Sequence, residues 1–179
     1  MFELVLASGW KNAGATVELG EPDIRLAFEK TTFLVECKRP FSANSVRSNI
    51  EDAAEQLEKS LGELGQADCF GIIAVSLNRV FSPGNRVCSA PEALGRATID
   101  DALIALIDRH KREWKWNSSK VHPRTAAVMF HLAVPWDIAG ERLIYLSTAK
   151  FIDTGKCEPG FTALRNNISG LYPPGEPTY

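Results

Sequence analysis

The chain's fold is decided by the stretch EPDIRLAFEKTTFLVECK, residues 21–38. Apolar and polar residues alternate between Ile24 and Phe28. This alternation predicts a half-buried strand over residues 23–29, because successive side chains of a strand point to opposite faces. Residues 32–38 follow a short turn and include an apolar run that is typical of a central strand. The stretch therefore predicts two neighbouring strands that form a hairpin.

Three charged residues lie at the ends of these two strands. Asp23 opens the first strand, and Glu36 and Lys38 lie near the end of the second. Glu36 and Lys38 should share a face, with Cys37 pointing into the other layer, because alternate strand residues point the same way. Pairing of the strands would then place Asp23 beside Glu36. We expect two carboxylates and an ammonium group to converge at one end of the sheet.

Such a cluster favours a divalent cation. Two carboxylates about 4 Å apart repel each other by roughly 4 kcal/mol at an effective dielectric constant near 20. A hard cation relieves this repulsion, and oxygen ligands with space for water suit Mg²⁺, or Mn²⁺ as a substitute. The ion stabilises charge on a scissile phosphate and lowers the pKa of a bound water. The backbone carbonyl of Cys37 is a further candidate ligand. Lys38 would orient or deprotonate the water, or stabilise the transition state.

The remaining residues predict further helices and strands around this hairpin. Periodicity and turn residues predict helices over 2–12 and 45–64, strands over 15–19, 69–77, 124–135 and 142–152, and a helix opened by a Thr98–Asp101 capping box. Candidate caps for the second helix are Asn44, Ser45 and Ser48. Residues 79–96, with the turn Ser82-Pro83-Gly84-Asn85, are predicted to be an insertion loop, and the tail after Gly155 to be irregular. We predict a single domain over residues 1–179.

The motif Glu21-Pro22-Asp23 followed by Val35-Glu36-Cys37-Lys38 resembles the signature of the PD-(D/E)XK, or restriction-endonuclease-like, nuclease superfamily. The superfamily core is a helix, three strands, a helix and a fourth strand, which is the order predicted over residues 2–77. The resemblance implies an α/β fold with this αβββαβ core, a mixed central sheet, and an appended helix and two strands in a C-terminal extension over residues 97–179. It also implies Asp23 and Glu36 as metal ligands and Lys38 as the catalytic lysine.

The resemblance suggests two more site residues. Members often add an acidic residue from the first helix, and Glu3 is the matching position, although an exposed glutamate at a helix start explains it equally well. RecB-type members carry a glutamine and a tyrosine four apart after the motif. Here Gln56 is followed by Ser60, so the tyrosine is missing. We predict Gln56 as a site residue, because it lies with Asn49, Ala53 and Ser60 on a stripe beside the apolar one.

Charge and composition limit the surface that could bind nucleic acid. The net charge is −2 and the isoelectric point about 5.9, so such a surface must be a local patch. One candidate is the segment from His110 to Arg124, which holds Lys111, Arg112, Lys115, Lys120, Trp114 and Trp116. The alternative is a solvated helix end that one tryptophan anchors to the core. Arg39, Arg47 and Arg79 are further candidate phosphate contacts, and the role of Asn49 stays open.

The remaining motifs give little support to other chemistries. The four cysteines have no metal-ligand spacing, and we expect them to be reduced. The three histidines are dispersed, and His131 is predicted to be a hydrogen-bonded core residue. GxSxG, GxxxxGK[ST] and GxGxxG do not occur, which argues against acyl transfer and P-loop chemistry. With no evident signal peptide or membrane span, we expect a cytoplasmic protein.

These observations predict a Mg²⁺-dependent nuclease, a hydrolase of phosphodiester bonds that acts on DNA as an endonuclease. Because many superfamily members work as dimers, a homodimer is the oligomer to test. One alternative is a non-catalytic nucleic-acid-binding or assembly module that keeps a nuclease-like fold. Another is an unrelated α/β scaffold in which the motif is accidental.

Overall fold

The computed structural model describes residues 2–82, 88–89, 91–114, 121–138 and 142–168, and shows an α/β protein built on one mixed seven-stranded sheet. The elements in chain order are helix α1 (Phe2–Asn12), strands β1 (Thr16–Leu19), β2 (Ile24–Phe28) and β3 (Thr31–Lys38), helix α2 (Ala43–Leu64), strand β4 (Cys69–Ser76), helix α3 (Asn78–Phe81), strand β5 (Cys88–Ser89), helix α4 (Glu92–His110), strands β6 (Thr125–Ile138) and β7 (Arg142–Asp153), and helix α5 (Glu158–Ile168). The order predicted over residues 2–77, helix, three strands, helix and strand, is confirmed.

The first three strands form an antiparallel meander, and β4 joins β3 in parallel. In the β2–β3 hairpin, Ile24 lies opposite Val35 and Phe28 lies opposite Thr31. The parallel step from β3 to β4 is made by α2, since parallel neighbours need a crossover connection. This arrangement gives β3 a strand on each side, as its apolar sequence predicts.

The later strands extend the same sheet beyond β4. The first half of β6 runs parallel to β4, and β7 pairs with β6 in the antiparallel direction. The far end of β6 continues past β4, and the short β5 pairs with it at Trp136 and Asp137. One sheet therefore includes both the predicted core and the predicted C-terminal extension.

Two apolar clusters fill the two faces of the sheet. On one face, Leu34 packs with the buried residues of α2 and α4, including Leu57 and Leu103. On the other face, Val35 packs with the buried residues of α1 and with Leu164 of α5. Because neighbouring residues of β3 contribute to opposite clusters, its alternate side chains are sorted between an α2 face and an α1 face.

Part of the region predicted to be an insertion loop is ordered structure, so that prediction is wrong. Asn78–Phe81 is helical, Cys88–Ser89 is a strand, and α4 begins at Glu92. Pro83, Gly84 and Asn85 lie outside the described residues. The Thr98 capping box is also wrong, because Thr98 lies inside α4 and its hydroxyl donates to the carbonyl of Leu94 at 2.8 Å. A threonine can satisfy its hydroxyl within a helix, so the local pattern did not mark a boundary.

Two other helix ends differ from the prediction. Helix α2 begins after Ser42, whose backbone N–H donates to the Ser45 hydroxyl at 3.3 Å. The tail after Gly155 is not irregular throughout, because α5 runs from Glu158 to Ile168. Its proline lies in the first turn of the helix, where no backbone N–H partner is lost. The buried Leu164 anchors α5 to the α1 face of the sheet.

All four cysteines are free, and Cys37, Cys69 and Cys157 are buried, as predicted for reduced core residues. Among the described residues, no helix combines the length and the apolar character needed to cross a bilayer.

Candidate functional site

The start of β2 is tied to the end of β3 by a hydrogen bond from the Cys37 backbone N–H to Oδ2 of Asp23, 2.7 Å long. Asp23 directly precedes Ile24, the first residue of β2, which lies opposite Val35. The hairpin register therefore brings Asp23 alongside Glu36. Asp23 is held in this position by a backbone donor.

The carboxyl groups of Glu36 and Asp23 are in hydrogen-bonding contact. Glu36 is only 6% exposed. Burial raises the pKa of the Glu36 carboxyl to about 7, and the negative charges of Asp23 and Glu21 add to this effect while Lys38 opposes it. At neutral pH without a cation, a substantial fraction of the Glu36 carboxyl groups is therefore protonated.

Lys38 lies on the same face as Glu36 and is held by α2. Its Nζ donates a hydrogen bond to Oε1 of Gln56 and lies 3.9 Å from Oε2 of Glu36. Helix α2 can supply Gln56 because its apolar residues pack on Leu34, two positions before Glu36 on the same face of β3. The structure thus brings together Asp23, Glu36, Lys38 and Gln56.

Three of these four residues border an open cavity of about 890 Å³ on the α2 face of the sheet. Asp23, Glu36 and Gln56 line it, together with the cationic Arg25 and Lys59 and the acidic Glu21 and Glu63. The carboxyl pair thus lies at the edge of a space large enough for a nucleotide unit, whose wall carries both cationic and acidic groups.

The donor set fits a hard divalent cation. Asp23 and Glu36 supply carboxylate oxygens in contact with each other, and the residue between Glu36 and Lys38 supplies a backbone carbonyl. Carboxylate and carbonyl oxygens are the ligands of Mg²⁺ and Mn²⁺. Within the described residues, no group of three or more His, Cys, Asp or Glu side chains is placed to hold an ion. The side-chain contribution at this site is therefore the carboxyl pair.

The Cys37 side chain lies on the α1 face, in the other layer from Glu36, as predicted. Burial raises the pKa of its thiol, and the nearby carboxylates of Asp23 and Glu3 raise it further. The thiol is therefore protonated at neutral pH and unsuited to metal binding, since the thiolate is the metal ligand. This residue can offer a metal only its backbone carbonyl.

Glu3 lies at the other side of β3 from the carboxyl pair. Its carboxylate forms an ion pair with Arg39, with 3.8 Å between Oε1 and Nε. Burial favours its neutral form, but contributions that include a backbone hydrogen bond and Arg39 outweigh burial and lower the pKa of Glu3. The structure records Glu3 beside Arg39 and near the Cys37 thiol, so its assignment as a metal ligand stays a prediction.

Several other candidate contacts are engaged within the fold. Arg47 forms an ion pair with Glu51 at 3.1 Å, and the Asn49 amide donates to the carbonyl of Ser45. Trp114 is buried and its Nε1 donates to the carbonyl of Ala43 at 2.9 Å. Of the two interpretations of this segment, a helix end that one tryptophan anchors to the core is the one confirmed for Trp114.

The rest of the basic segment gives only partial support for a nucleic-acid contact. Arg124 donates to the carbonyls of Leu61 and Gln66, at the end of α2. Lys111 lies 3.4 Å from Asp108 in an exposed ion pair. Lys115, Trp116 and Lys120 lie outside the described residues. Arg124 thus caps the C-terminal end of α2 by donating hydrogen bonds to carbonyl groups there, because the last carbonyl groups of a helix lack partners within the helix.

Within the described residues, the unpartnered ring nitrogen of His131 and the cavity beside this residue were not predicted from the sequence. His131 is buried, as predicted, but its Nδ1 has no hydrogen-bond partner among the described residues. Its ring forms part of the wall of a second cavity of about 460 Å³, on the α1 side of the sheet. Elements far apart in the chain form this cavity, and no local pattern could have revealed it.

Comparison of the chain with protein-family models, with curated proteins and with solved structures gave no match.

Proposed function

We propose that this protein is a divalent-metal-dependent nuclease with a restriction-endonuclease-like core, cleaving phosphodiester bonds in DNA. The observation that carries the proposal is the contact between Asp23 and Glu36 with Lys38 beside it. Support also comes from the order of the first six elements, in which the motif residues lie at the ends of paired strands. The contact supports a shared ion, because both carboxylates lie at the same end of the hairpin.

Each residue of the cluster has a role in this proposal. Asp23 and Glu36, with the carbonyl of Cys37, would hold Mg²⁺ or Mn²⁺. When bound, the cation would supply charge stabilisation at the phosphate and a more acidic water. The raised pKa of Glu36 supports this assignment, because strongly perturbed carboxyl groups in a cavity are typical of functional sites. A bound cation would favour the ionised form of Glu36 and so displace its proton.

Lys38 acts on the reacting groups and not on the metal, and Gln56 positions Lys38. The ammonium group of Lys38 can donate a hydrogen bond to the attacking water or to a phosphate oxygen on which charge develops. Gln56 fixes the position of that ammonium group through its side-chain oxygen. The side chains of Arg25 and Lys59, on the cavity wall, are suited to hold neighbouring phosphates as point charges.

The test is a cleavage assay with purified protein on plasmid, linear and single-stranded DNA and on RNA, with and without Mg²⁺. We expect DNA cleavage that requires Mg²⁺ or Mn²⁺ and that EDTA abolishes. Glu36→Gln and Lys38→Ala should lower the rate at least about a hundredfold, as removal of one catalytic group commonly does. The matched control is Lys30→Ala, which removes an exposed lysine from the turn at the opposite end of the same hairpin.

Cleavage that persists in EDTA and in Lys38→Ala would overturn the mechanism. DNA binding without metal-dependent turnover would instead support the non-catalytic nucleic-acid-binding module. Cleavage of RNA alone, with the same metal and lysine dependence, would keep the mechanism and change the substrate.

A further inference from the structure

The second cavity lies next to the candidate active site, at the carboxyl ends of the central parallel strands. It is lined by residues that include Phe2, Arg39, Asn78, Arg79, His131 and Tyr145, and we call it the arginine groove. Arg39 directly follows Lys38, and Ser76 at the end of β4 lies opposite His131 of β6. Ligands of open α/β sheets bind outside the carboxyl ends of the strands, which is where this groove opens.

The walls of the arginine groove combine aromatic rings with cations. Phe2 and Tyr145 contribute rings, and the Tyr145 side chain is 74% exposed. The guanidinium group of Arg79 lies over the ring of Phe41, 4.2 Å from its centroid. Phe41 is 75% exposed, so this rim presents a second large aromatic surface to solvent. Exposed aromatic side chains next to guanidinium groups are suited to stack on nucleobases and to hold phosphates.

A buried polar group lies in the same wall. The His131 ring is in contact with the Phe2 ring, with centroids 5.3 Å apart, and its Nδ1 has no partner among the described residues. Burial lowers the pKa of His131 to about 4, so the ring is neutral at pH 7. An unsatisfied buried nitrogen costs free energy unless a ligand or water completes it. The nitrogen itself is closed to solvent, so His131 contributes to the groove as a neutral ring beside Phe2.

Asn78 and Arg39 are two further groove residues with groups suited to bind a nucleotide. The Asn78 side-chain oxygen accepts a hydrogen bond from the backbone of Ala133 at 2.8 Å, which fixes the amide and orients its NH₂ group as a donor. Arg39 forms a partly exposed ion pair with Glu3, a kind of contact that contributes little to stability. Arg39 can therefore turn to a phosphate at low cost.

We propose that the arginine groove binds one unpaired nucleotide adjacent to the cleaved bond, with its base against Tyr145 and His131 and its phosphate between Arg39 and Arg79. This inference rests on the proposed function, because it treats the ligand of the groove as part of the same nucleic acid. The Lys38 side chain lies on the α2 side of the sheet, and the next residue, Arg39, lies beside Glu3 of α1. A nucleic-acid strand that crosses the end of β3 can therefore contact both side chains. The preferred substrate is then single-stranded DNA or a duplex with an unpaired nucleotide.

The experiment measures binding with the full chain carrying Glu36→Gln, so that cleavage does not remove the probe. The probes are a fluorescein-labelled single strand, a fully paired duplex, a duplex with one unpaired nucleotide, and the same duplex with an abasic site at that nucleotide. We expect the single strand and the duplex with the unpaired nucleotide to bind about tenfold more tightly than the paired duplex, and the abasic site to remove that gain.

Tyr145→Ala and Arg79→Ala, each added to Glu36→Gln, should weaken binding of the unpaired probe about tenfold. Both side chains are exposed, so the variants should keep their fold, which circular dichroism checks. The matched controls are Leu143→Ala, an exposed apolar residue two positions away on β7, and Arg109→Ala, an exposed arginine of α4. Equal affinity for paired and unpaired probes, or equal losses in the groove and control variants, would overturn the inference.

Cleavage by the otherwise unchanged protein is recorded in parallel with Mg²⁺. Metal-dependent cleavage without any effect of Tyr145→Ala or Arg79→Ala overturns the groove inference and leaves the nuclease proposal intact. Groove-dependent binding of the unpaired probe without cleavage supports the groove and overturns the nuclease proposal.

Discussion

The backbone N–H of Cys37 donates to the side chain of Asp23 across the β2–β3 hairpin, at 2.7 Å. This bond fixes the first carboxylate against the strand that carries the second one. The charged cluster is therefore built by backbone pairing and does not depend on a flexible loop. Site residues on paired strands are placed more exactly than residues on loops.

Mg²⁺ should stabilise the folded protein through this carboxyl pair. A ligand that binds only the folded state at about 100 times its Kd adds about 2.7 kcal/mol to the free energy of unfolding. We expect the thermal midpoint to rise with Mg²⁺ in the wild type and not in Asp23→Asn or Glu36→Gln. Glu18→Gln, which removes an exposed carboxylate from β1, should respond like the wild type. An equal response in all four proteins would place the cation elsewhere.

The pKa values of Glu36 and His131 should affect stability in opposite directions. The folded state holds a proton on Glu36 between pH 4.5 and about 7 that the unfolded state releases, so Glu36 makes the free energy of unfolding fall as pH rises. Between about pH 4 and 6.5 the unfolded state binds a proton at His131 that the folded state does not. His131 therefore makes the free energy of unfolding rise as pH rises. Each effect reaches at most about 1.4 kcal/mol per pH unit.

These slopes partly cancel in the wild type and should separate in single variants. In metal-free buffer, Glu36→Gln should gain stability from pH 4.5 to 6.5, because the opposing Glu36 effect is removed and the His131 effect remains. His131→Leu should lose stability over the same interval, because the opposing His131 effect is removed and the Glu36 effect remains. Urea denaturation at several pH values measures both slopes. Parallel pH profiles for the two variants would contradict the burial of one or both groups.

Gln56 should act as a positioning residue for Lys38. Loss of a hydrogen bond to a charged group costs about 1.5–3 kcal/mol, so Gln56→Ala should lower kcat about tenfold or more while KM changes less. Gln56→Glu keeps an oxygen acceptor and should recover part of the rate. Glu55→Ala, an exposed neighbour on α2, is the control and should keep the wild-type rate. A change in KM alone would indicate that Gln56 contacts substrate instead.

Local patterns were sufficient to predict the hairpin and the cluster it carries. The alternation from Ile24 to Phe28 and the apolar run before Glu36 each specify a strand, and the short turn leaves them few ways to pair. The register then follows from the buried faces, since a slip of one residue would expose Ile24 and Leu26. Hence the contact between Asp23 and Glu36 was accessible from the sequence.

Features that depend on distant segments were not predicted. The strand Cys88–Ser89 exists only because the far end of β6 offers a pairing edge at Trp136. The tail helix α5 is stabilised by packing on the sheet, which its proline and glycine content did not suggest. The arginine groove joins α1, β6 and β7, and its His131 looked in the sequence like an ordinary core residue. Tertiary contacts of this kind override local propensity.

The packing of α4 on the far end of the sheet can be tested with a pair of glycine substitutions. A Cβ at Gly95 would lie 2.6 Å from both Trp136 Cε2 and Leu146 Cδ1, side chains that are almost fully buried. Gly95→Ala should therefore lower the free energy of unfolding by about 1–3 kcal/mol, as overpacking of a core does. Gly62 on α2 has nothing within 4 Å of such a Cβ.

Gly62→Ala should instead raise the free energy of unfolding by about 0.5–1 kcal/mol, because alanine has the higher helix propensity. Urea denaturation of both variants beside the wild type gives the comparison. The two substitutions make the same chemical change inside a helix, so their difference reports only the surroundings. If both variants were stabilised equally, α4 could not pack on β6 and β7 as described, and the C-terminal strands would lose the helix that covers them.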